Sequence, residues 1–371
     1  MSVRKRGAAS PTQKISSFAR SLLAEWRKLR LPTSDEPIIV AVSGGADSTA
    51  LFLALDELKR SGKIAGQLVI AHLDHGIRPN SKRDARWVSS LAKSLGYSAV
   101  ISRAKVREIA EANKDNLEQV ARRLRYEFLE RTAKRKKARF VLTGHTMDDQ
   151  AETVLLRLMR GSASVGLGGI PGIRSLSENG DILLVRPLLW ARRADTEDYC
   201  RERRQEFLQD EMNRDETYAR VRVRKQLLPL MESFNARVVE AISRSAALLS
   251  EDTAELQQSA AELLQKAINQ NNPATHKTKH HSLDVQVLSA APSALRRRAL
   301  RHWITNARGG ARRLEMVHLV AVEKLLDGPS GGRVIELPGG AKVRRLRGRL
   351  EVEPGTAPQN SGKHWRRGKT N

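Results

Sequence analysis

The sequence has a single cysteine, Cys200. That excludes an intrachain disulfide framework and a cysteine-rich zinc cluster, and it fits a reducing compartment. Aromatic residues are only 4% of the chain, too few for base stacking to be the main mode of nucleic-acid binding. No unbroken apolar run approaches the roughly 20 residues of a membrane-spanning helix. The stretch 15–31 alternates apolar and charged residues, unlike the apolar core of a signal peptide. A cytoplasmic protein with no membrane partner is therefore expected. Negative charge is also scarce: 41 Asp+Glu stand against 66 Lys+Arg, a formal net charge of +25. Such a surplus concentrates polyanions, so nucleic acid is the first partner to consider.

At 371 residues the chain exceeds a typical single domain, and two are expected. The first half alternates short apolar runs with helical periodicity, the pattern of an α/β fold with a doubly wound, mainly parallel sheet. Residues 37–42 read as a buried strand. Asp47 to Arg60 follows as a helix with Leu51, Phe52, Leu55 and Leu58 on one face. Further strands are expected at 67–73, 98–102 and 139–143, and helices at 83–95, 117–137 and 148–160. Gly96 is the expected left-handed cap of the first of these helices. The run 182–189, containing Pro187, reads as another edge strand. Beyond about Pro229 the pattern turns helical over 236–268, polar over 269–282, then helical again over 294–306 and 314–326. A hairpin is expected from 333–337, a turn at Pro338-Gly339-Gly340, and a strand over 341–352. The chain thus divides into an N-terminal extension with an amphipathic helix (1–35) and an α/β domain (36–230). A smaller, mostly helical domain with a terminal hairpin (235–352) and a disordered basic tail (353–371) follow.

Ser43-Gly44-Gly45-Ala46-Asp47-Ser48 lies directly between the first strand and its helix. Successive backbone N–H groups at a helix N-terminus, with glycines that let a ligand approach, cradle phosphate oxygens. Ser43 and Ser48 add hydroxyls, and Asp47 is placed to hold Mg²⁺ bridging the phosphates. The plainer reading is a glycine turn with an N-cap; the flanking serines, the aspartate and the strand-to-helix context favour phosphate binding. No Lys-Ser/Thr follows the glycines, so the loop is not a Walker loop, nor is it a GxGxxG turn. It resembles the pyrophosphate loop (PP-loop) of N-type ATP pyrophosphatases, which split ATP into AMP and pyrophosphate.

Further segments narrow the resemblance: His72-Leu73-Asp74-His75-Gly76-Ile77-Arg78, Asn116-Leu117-Glu118, Ala121-Arg122-Arg123-Leu124-Arg125-Tyr126, Thr143-Gly144-His145 and Asp148-Asp149-Gln150-Ala151-Glu152-Thr153. Arg157 to Gly161, Arg186-Pro187-Leu188-Leu189, Asp210, Asn213, Tyr218 and Arg220 complete the series. In this order, from about Ile38 to Pro229, the chain resembles the tRNA(Ile)-lysidine synthetase family. The resemblance implies ATP and Mg²⁺ as cofactors, and a tRNA(Ile) with a CAU anticodon and free L-lysine as partners, with a homodimer left open. The C2 oxygen of the wobble cytidine would be adenylated and AMP then displaced by the lysine amine, changing codon reading from AUG to AUA. It implies catalytic roles for Asp47, His145, Asp148 and Asp149, nucleotide contacts from 43–48, His72 and Asp74, and substrate contacts from Arg122, Arg125, Arg160, Arg220 and Arg224. The plainer reading of Asp148 and Asp149 is complementation of a helix dipole; their place at a strand end in the expected crevice favours metal binding or capture of a lysine ammonium. The family's Arg-Asn-x-x-Arg reads Arg220-Val221-Arg222-Val223-Arg224 here, so the arginines remain but the amide does not.

Basic clusters at 134–137, 296–298, 312–313 and 344–349 suit a phosphate-tracking surface for tRNA. Two rivals are a tRNA thiolase sharing the ATP loop and a non-catalytic RNA-binding module. Thiolation needs cysteines in the site, and Cys200 is expected in a helix away from the strand ends.

Overall fold

The computed structural model describes residues 15–32, 34–76, 81–209, 215–269, 282–310, 313–327 and 333–355. Expectations placed on the first 14 residues, Ile77-Arg78, Asp210, Asn213, the 270–281 segment, Arg312 and 356–371 lie outside them. The chain forms two compact units divided between Ser250 and Glu251.

The first unit opens with α1 (Ser17–Lys28), then β1 (Pro37–Ala41), α2 (Ala46–Arg60), β2 (Gln67–Asp74), α3 (Ser81–Ser94) and β3 (Ser98–Arg103). Next come α4 (Val106–Asn113), α5 (Leu117–Lys136), β4 (Phe140–Thr143), α6 (Met147–Met159), α7 (Ser164–Leu167), β5 (Ile173–Ser175) and β6 (Leu183–Val185). It continues through α8 (Arg193–Glu202), α9 (Ala219–Arg222), a π-helical turn (Val223–Leu227), α10 (Leu228–Phe234) and the start of α11 (Val238–Asn269). Six strands form one sheet in the order β3-β2-β1-β4-β6-β5, parallel except for β5.

Strand periodicity explains how the sheet is covered. Ile38, Val40 and Val42 point to one face and pack with the apolar residues of α1, α2, α3 and α8. Ile39 and Ala41 point to the other face and meet Phe128, Leu129 and Ala133 of α5. Every residue of β1 after Pro37 is buried because both faces are covered. α2 was expected to bury one face, but it buries Ala50 to Leu55 almost without interruption. The reason is a second layer: Phe18 of α1 stacks on Tyr199 of α8 with ring centroids 4.6 Å apart. Glu57 of α2 ties this layer down, accepting from Ser16 N at 2.6 Å, Ser16 Oγ at 2.9 Å and Tyr199 Oη at 2.7 Å.

Two strand expectations need correction. The 182–189 run is no edge: β6 pairs with β4 on one side and β5 on the other, and β5 closes the sheet. Pro187 lies past the end of β6, so its missing N–H costs the ladder nothing. The expected 341–352 strand is two strands. In the second unit β7 (Ser282–Asp284), α12 (Val285–Ala290), α13 (Ser293–Arg308) and α14 (Met316–Glu323) precede β8 (Val334–Glu336), β9 (Lys342–Leu346) and β10 (Arg349–Glu353). Leu346 pairs with Arg349, and Arg347 and Gly348 between them take φ of 49° and 78°. Two successive left-handed residues make the two-residue hairpin turn whose twist matches the strands. The antiparallel sheet β7-β10-β9-β8 closes a core with Leu300, Trp303, Leu319 and Leu350.

The strand order sets the location of the site. From β1 the chain goes on to β2 on one side, whereas β4 lies on the other side of β1. The crevice beyond the carboxyl ends of β1 and β4 is therefore the topological switch point, where open α/β sheets bind ligands.

Candidate active site

Beyond the end of β1, Val42 N still donates to Ala71 O at 3.0 Å, and the chain then turns through Ser43-Gly44-Gly45 into α2. Gly44 has φ of 98°, and a Cβ there would stand 2.6 Å from Leu208 Cδ1. Its glycine is required by backbone conformation and by Leu208, whose N–H donates to Gly44 O at 2.9 Å. The Ser48 hydroxyl borders the cavity but is also engaged within the loop. It accepts from Ser43 N at 3.1 Å, lies 3.0 Å from Ser43 Oγ and donates to Gly45 O at 3.1 Å, bracing the turn internally. Thr49 Oγ1 adds a bond to Gly44 O at 3.2 Å. The hydroxyls thus shape the loop, while the first turn of α2 borders the cavity, where unpaired helix amides suit an anion. The end of β4 closes against this turn: a Cβ on Gly144 would meet Asp47 O at 2.8 Å.

Asp47, in the first turn of α2, accepts from Thr196 Oγ1 at 2.5 Å and lies 3.5 Å from Arg193 Nε. Burial pushes its carboxyl up to about 6; Arg193 and Thr196 oppose this, and Asp149 adds repulsion. A desolvated carboxylate facing a second one is a fitting partner for a divalent cation. Asp149 sits in the first turn of α6. Its Oδ2 caps the helix, accepting from Thr146 N at 3.0 Å, while Oδ1 accepts from Arg220 Nη2 at 2.8 Å. Burial alone would raise the Asp149 carboxyl, but the Arg220 and Arg193 guanidiniums and the Thr146 N–H outweigh it and hold the group ionised. Glu152, one turn on and 0% exposed, accepts from Arg220 Nε at 2.7 Å and Arg224 Nε at 2.6 Å. Arg193 lies 3.6 Å from the same carboxylate. His145, 2.9 Å from Thr143 Oγ1, is kept neutral first by burial and then by Arg125, Arg186 and Arg220. His72 Nδ1 lies 2.8 Å from Val42 O, so that nitrogen carries the proton and Nε2 is an acceptor. Asp74 accepts from Gly76 N at 2.8 Å.

Most of these groups line one cavity of about 760 Å³, the fully buried Glu152 not among them. Ser43, Gly45, Ala46, Asp47, Ser48, His72, Asp74, Arg125, His145, Asp149, Arg220 and Arg224 all face it. Four expected residues do not, and the first of them, Gly44, is covered by Leu208. Asp148 turns to α8, accepting from Arg193 N at 2.7 Å and from the Arg192 guanidinium at 3.1 Å. Of the two carboxylates, only the one at the third helical position points into the crevice, since adjacent helical residues diverge by about 100°. Arg160 caps the far end of α6 and is exposed, and Arg122 lies on the exposed side of α5. Val221, standing where the family pattern has Asn, lines the cavity as an apolar wall. Cys200 is in a helix as expected, yet it lies directly under the loop, its Sγ 3.7 Å from Ala46 O. Sequence reasoning missed Arg193, Thr196 and Leu208, which reach the loop from about 150 residues away and carry no local signature. Glu152 was visible in the motif, but no role was drawn for it.

Residues 14–231 match the PP-loop domain family, and residues 283–351 match the TilS substrate binding domain. The tRNA(Ile)-lysidine synthase of Thermus thermophilus is 38% identical over 328 residues, covering 88% of this chain and 59% of that protein. The chain thus spans less than two thirds of that relative. The tRNA(Ile)-lysidine synthase of a Nostoc species is 34% identical over 325 residues, covering 85% of this chain and 90% of that protein. Among solved structures, the U34-tRNA thiolase NcsA from Methanococcus maripaludis aligns at a TM-score of 0.54 and 18% identity, covering 63% of this chain and 80% of that one. At that identity the likeness concerns the fold alone. A PP-loop core across most of the first unit, a substrate-binding segment in the second and a relative matched over nine-tenths of its length lead to one statement: the chain belongs to the tRNA(Ile)-lysidine synthase family of PP-loop proteins.

Proposed function

We propose that this protein uses ATP to join free L-lysine to C2 of the wobble cytidine of a tRNA(Ile) with a CAU anticodon, in the cytoplasm. The supporting observation is one cavity at the sheet's switch point holding the amide-rich loop, Asp47 and an ionised Asp149 together. An amide-like carbonyl oxygen is a poor leaving group until it becomes a phosphate ester. In the first step the C2 oxygen attacks the α-phosphorus of ATP, an O–P bond forms and pyrophosphate leaves. In the second, the lysine amine attacks C2, a C–N bond forms, AMP departs with the oxygen and the amine's surplus proton passes to a base.

The chain's residues suit these steps. The α2 amides and the loop cradle the phosphates. Mg²⁺, when held by Asp47, neutralises charge on the phosphate oxygens. Asp149 faces the cavity as the carboxylate for the lysine ammonium, while buried Glu152 holds Arg220 and Arg224 in position beside it. Neutral His145 can accept a hydrogen bond or a proton beside them. The basic segments of the second unit suit the tRNA body. Cys200 supports this chemistry over sulfur transfer: it is buried, and burial first, then Asp47 and Glu197, pushes its thiol up to about 12.

The test is mass spectrometry of tRNA nucleosides after incubation with ATP and isotopically labelled lysine. Labelled lysidine is expected. AMP release with no lysine incorporated into the tRNA would reject the reading.

A further inference from the structure

Beside the cavity the first unit carries a second concentration of charge that the proposed chemistry does not use. Tyr126 on α5 is ringed by guanidinium groups. Arg174 of β5 lies 4.6 Å from its ring centroid and Arg122, one helical turn back, 5.4 Å. Arg186, just past β6, is 1% exposed and donates from Nη1 to Pro171 O at 2.6 Å, while its Nε is buried without a hydrogen-bond partner. Arg125, one residue before Tyr126, lines the cavity itself. Burial alone would raise the Tyr126 phenol, yet Arg122, Arg125, Arg186 and Arg174 together bring it below its usual value.

What distinguishes these arginines is the company they lack. Arg192, Arg193, Arg220 and Arg224 each pair with a carboxylate within 4 Å. Among the described residues, Arg122, Arg125, Arg174 and Arg186 make no such pair. Like charges brought together in a partly desolvated place repel, and one guanidinium kept there without an anion is costly. Structural arginines are normally neutralised by the fold; a group left to face one another suits an external anion. Planar guanidiniums bind phosphate oxygens bidentately, and two or more around one site give the geometry for a phosphodiester. The edge strand β5 puts the cluster on the rim, next to the cavity but outside its lining, so a nucleotide seated on the loop would not occupy it.

We propose that Arg122, Arg174 and Arg186, held around Tyr126, form a clamp for a backbone phosphate of the RNA strand whose base enters the cavity. The clamp rests on the reading that the substrate is tRNA. Arg122 and Arg174 are the arms that reach the phosphate, Tyr126 is the positioning residue that spaces them, and Arg186, 1% exposed, supports Tyr126 from the buried side. Arg125 joins the clamp to the active site, so capture of the phosphate and entry of the base are geometrically linked.

The experiment uses the full chain and an unmodified tRNA transcript with a CAU anticodon. Binding is titrated across a salt series for the wild type, for Arg122→Gln with Arg174→Gln, and for Arg122→Lys with Arg174→Lys; ATP affinity and the thermal midpoint are measured alongside. The glutamine pair should weaken tRNA binding roughly tenfold. It should also flatten the salt slope by roughly 0.7 for each phosphate no longer neutralised, with ATP affinity and midpoint unchanged. The lysine pair should keep most of the slope. Unchanged tRNA affinity and slope in a folded glutamine pair overturns the clamp, and so does a selective fall in ATP affinity, which would assign the cluster to the triphosphate. A wild type that binds no tRNA at any salt overturns clamp and substrate reading together, a result distinct from failure of the clamp alone.

Discussion

Glu152 shows how a buried charge is tolerated at a single position. Its carboxylate has no exposure, yet three guanidiniums surround it, two within 2.7 Å. Replacing it with glutamine leaves Arg193, Arg220 and Arg224 repelling one another around a neutral amide. Glu152→Gln is expected to cost about 3 kcal/mol. A clear drop in the calorimetric midpoint would check this, and an unmoved midpoint would mean the arginines find other partners. Cys200 offers the opposite case, a reactive atom made inert by its surroundings. With its thiol pushed up to about 12 and wholly buried, it should resist iodoacetamide at pH 8 in the folded protein and react after denaturation. Cys200→Ala should leave AMP formation within about threefold of wild type, because no step of the proposed chemistry passes through sulfur. Loss of activity in that variant would revive the thiolase reading.

At the level of elements, α8 is the joint of the first unit. Arg192 at its N-cap reaches Asp148 of α6 at 3.1 Å, Glu232 of α10 at 3.0 Å and Glu240 of α11 at 3.2 Å. The next residues, Arg193 and Thr196, touch Asp47. One arginine thus sets the register of the helix that braces the glycine loop. Arg192→Ala should lower kcat/KM for AMP formation about tenfold through misplacement of these contacts. Arg192→Lys should recover little, since one ammonium cannot span three carboxylates. Steady-state AMP release on both variants tests this, and full activity of the alanine variant would show that α8 is held by its core contacts alone. In the second unit α13 and α14 are joined by Glu323, which accepts from Arg296 Nε at 2.8 Å and Arg297 Nε at 2.6 Å. Burial alone would raise its carboxyl, but the two arginines bring it below the ordinary value of 4.5. A depressed folded value means the stabilisation is complete above the unfolded value and is lost as pH falls through the folded one. Acid titration of the helical signal should show this loss below pH 4.5, and Glu323→Gln should remove that part of the pH dependence.

Over the whole molecule the dominant property is the charge of +25. If that charge serves RNA, tRNA affinity must fall steeply between low and moderate salt as counterions compete for the phosphates. A flat response in a filter-binding or anisotropy titration would remove the electrostatic account of the basic surface.

Part of this picture was legible before any coordinates, for physical reasons. The alternation of 37–42 and the periodicity of 47–60 are local, as is the strand–glycine–helix junction between them. Local chemistry is enough to specify a loop of free amides and the strand and helix that present it. Gly96 as a left-handed cap, with φ of 85°, was readable for the same reason. The division of labour between Asp148 and Asp149 was not. Neighbouring letters carry no sign of which side faces the crevice until α6 is docked beside α8. Nor could periodicity show that the Ser48 hydroxyl would be used within the loop, or that Leu208 would occupy the space above Gly44. Composition and motif order by themselves determined the PP-loop family, the parallel sheet and the basic character. Only tertiary packing decided which carboxylates see the cavity and which arginines are neutralised, because those outcomes depend on contacts between residues far apart in the chain.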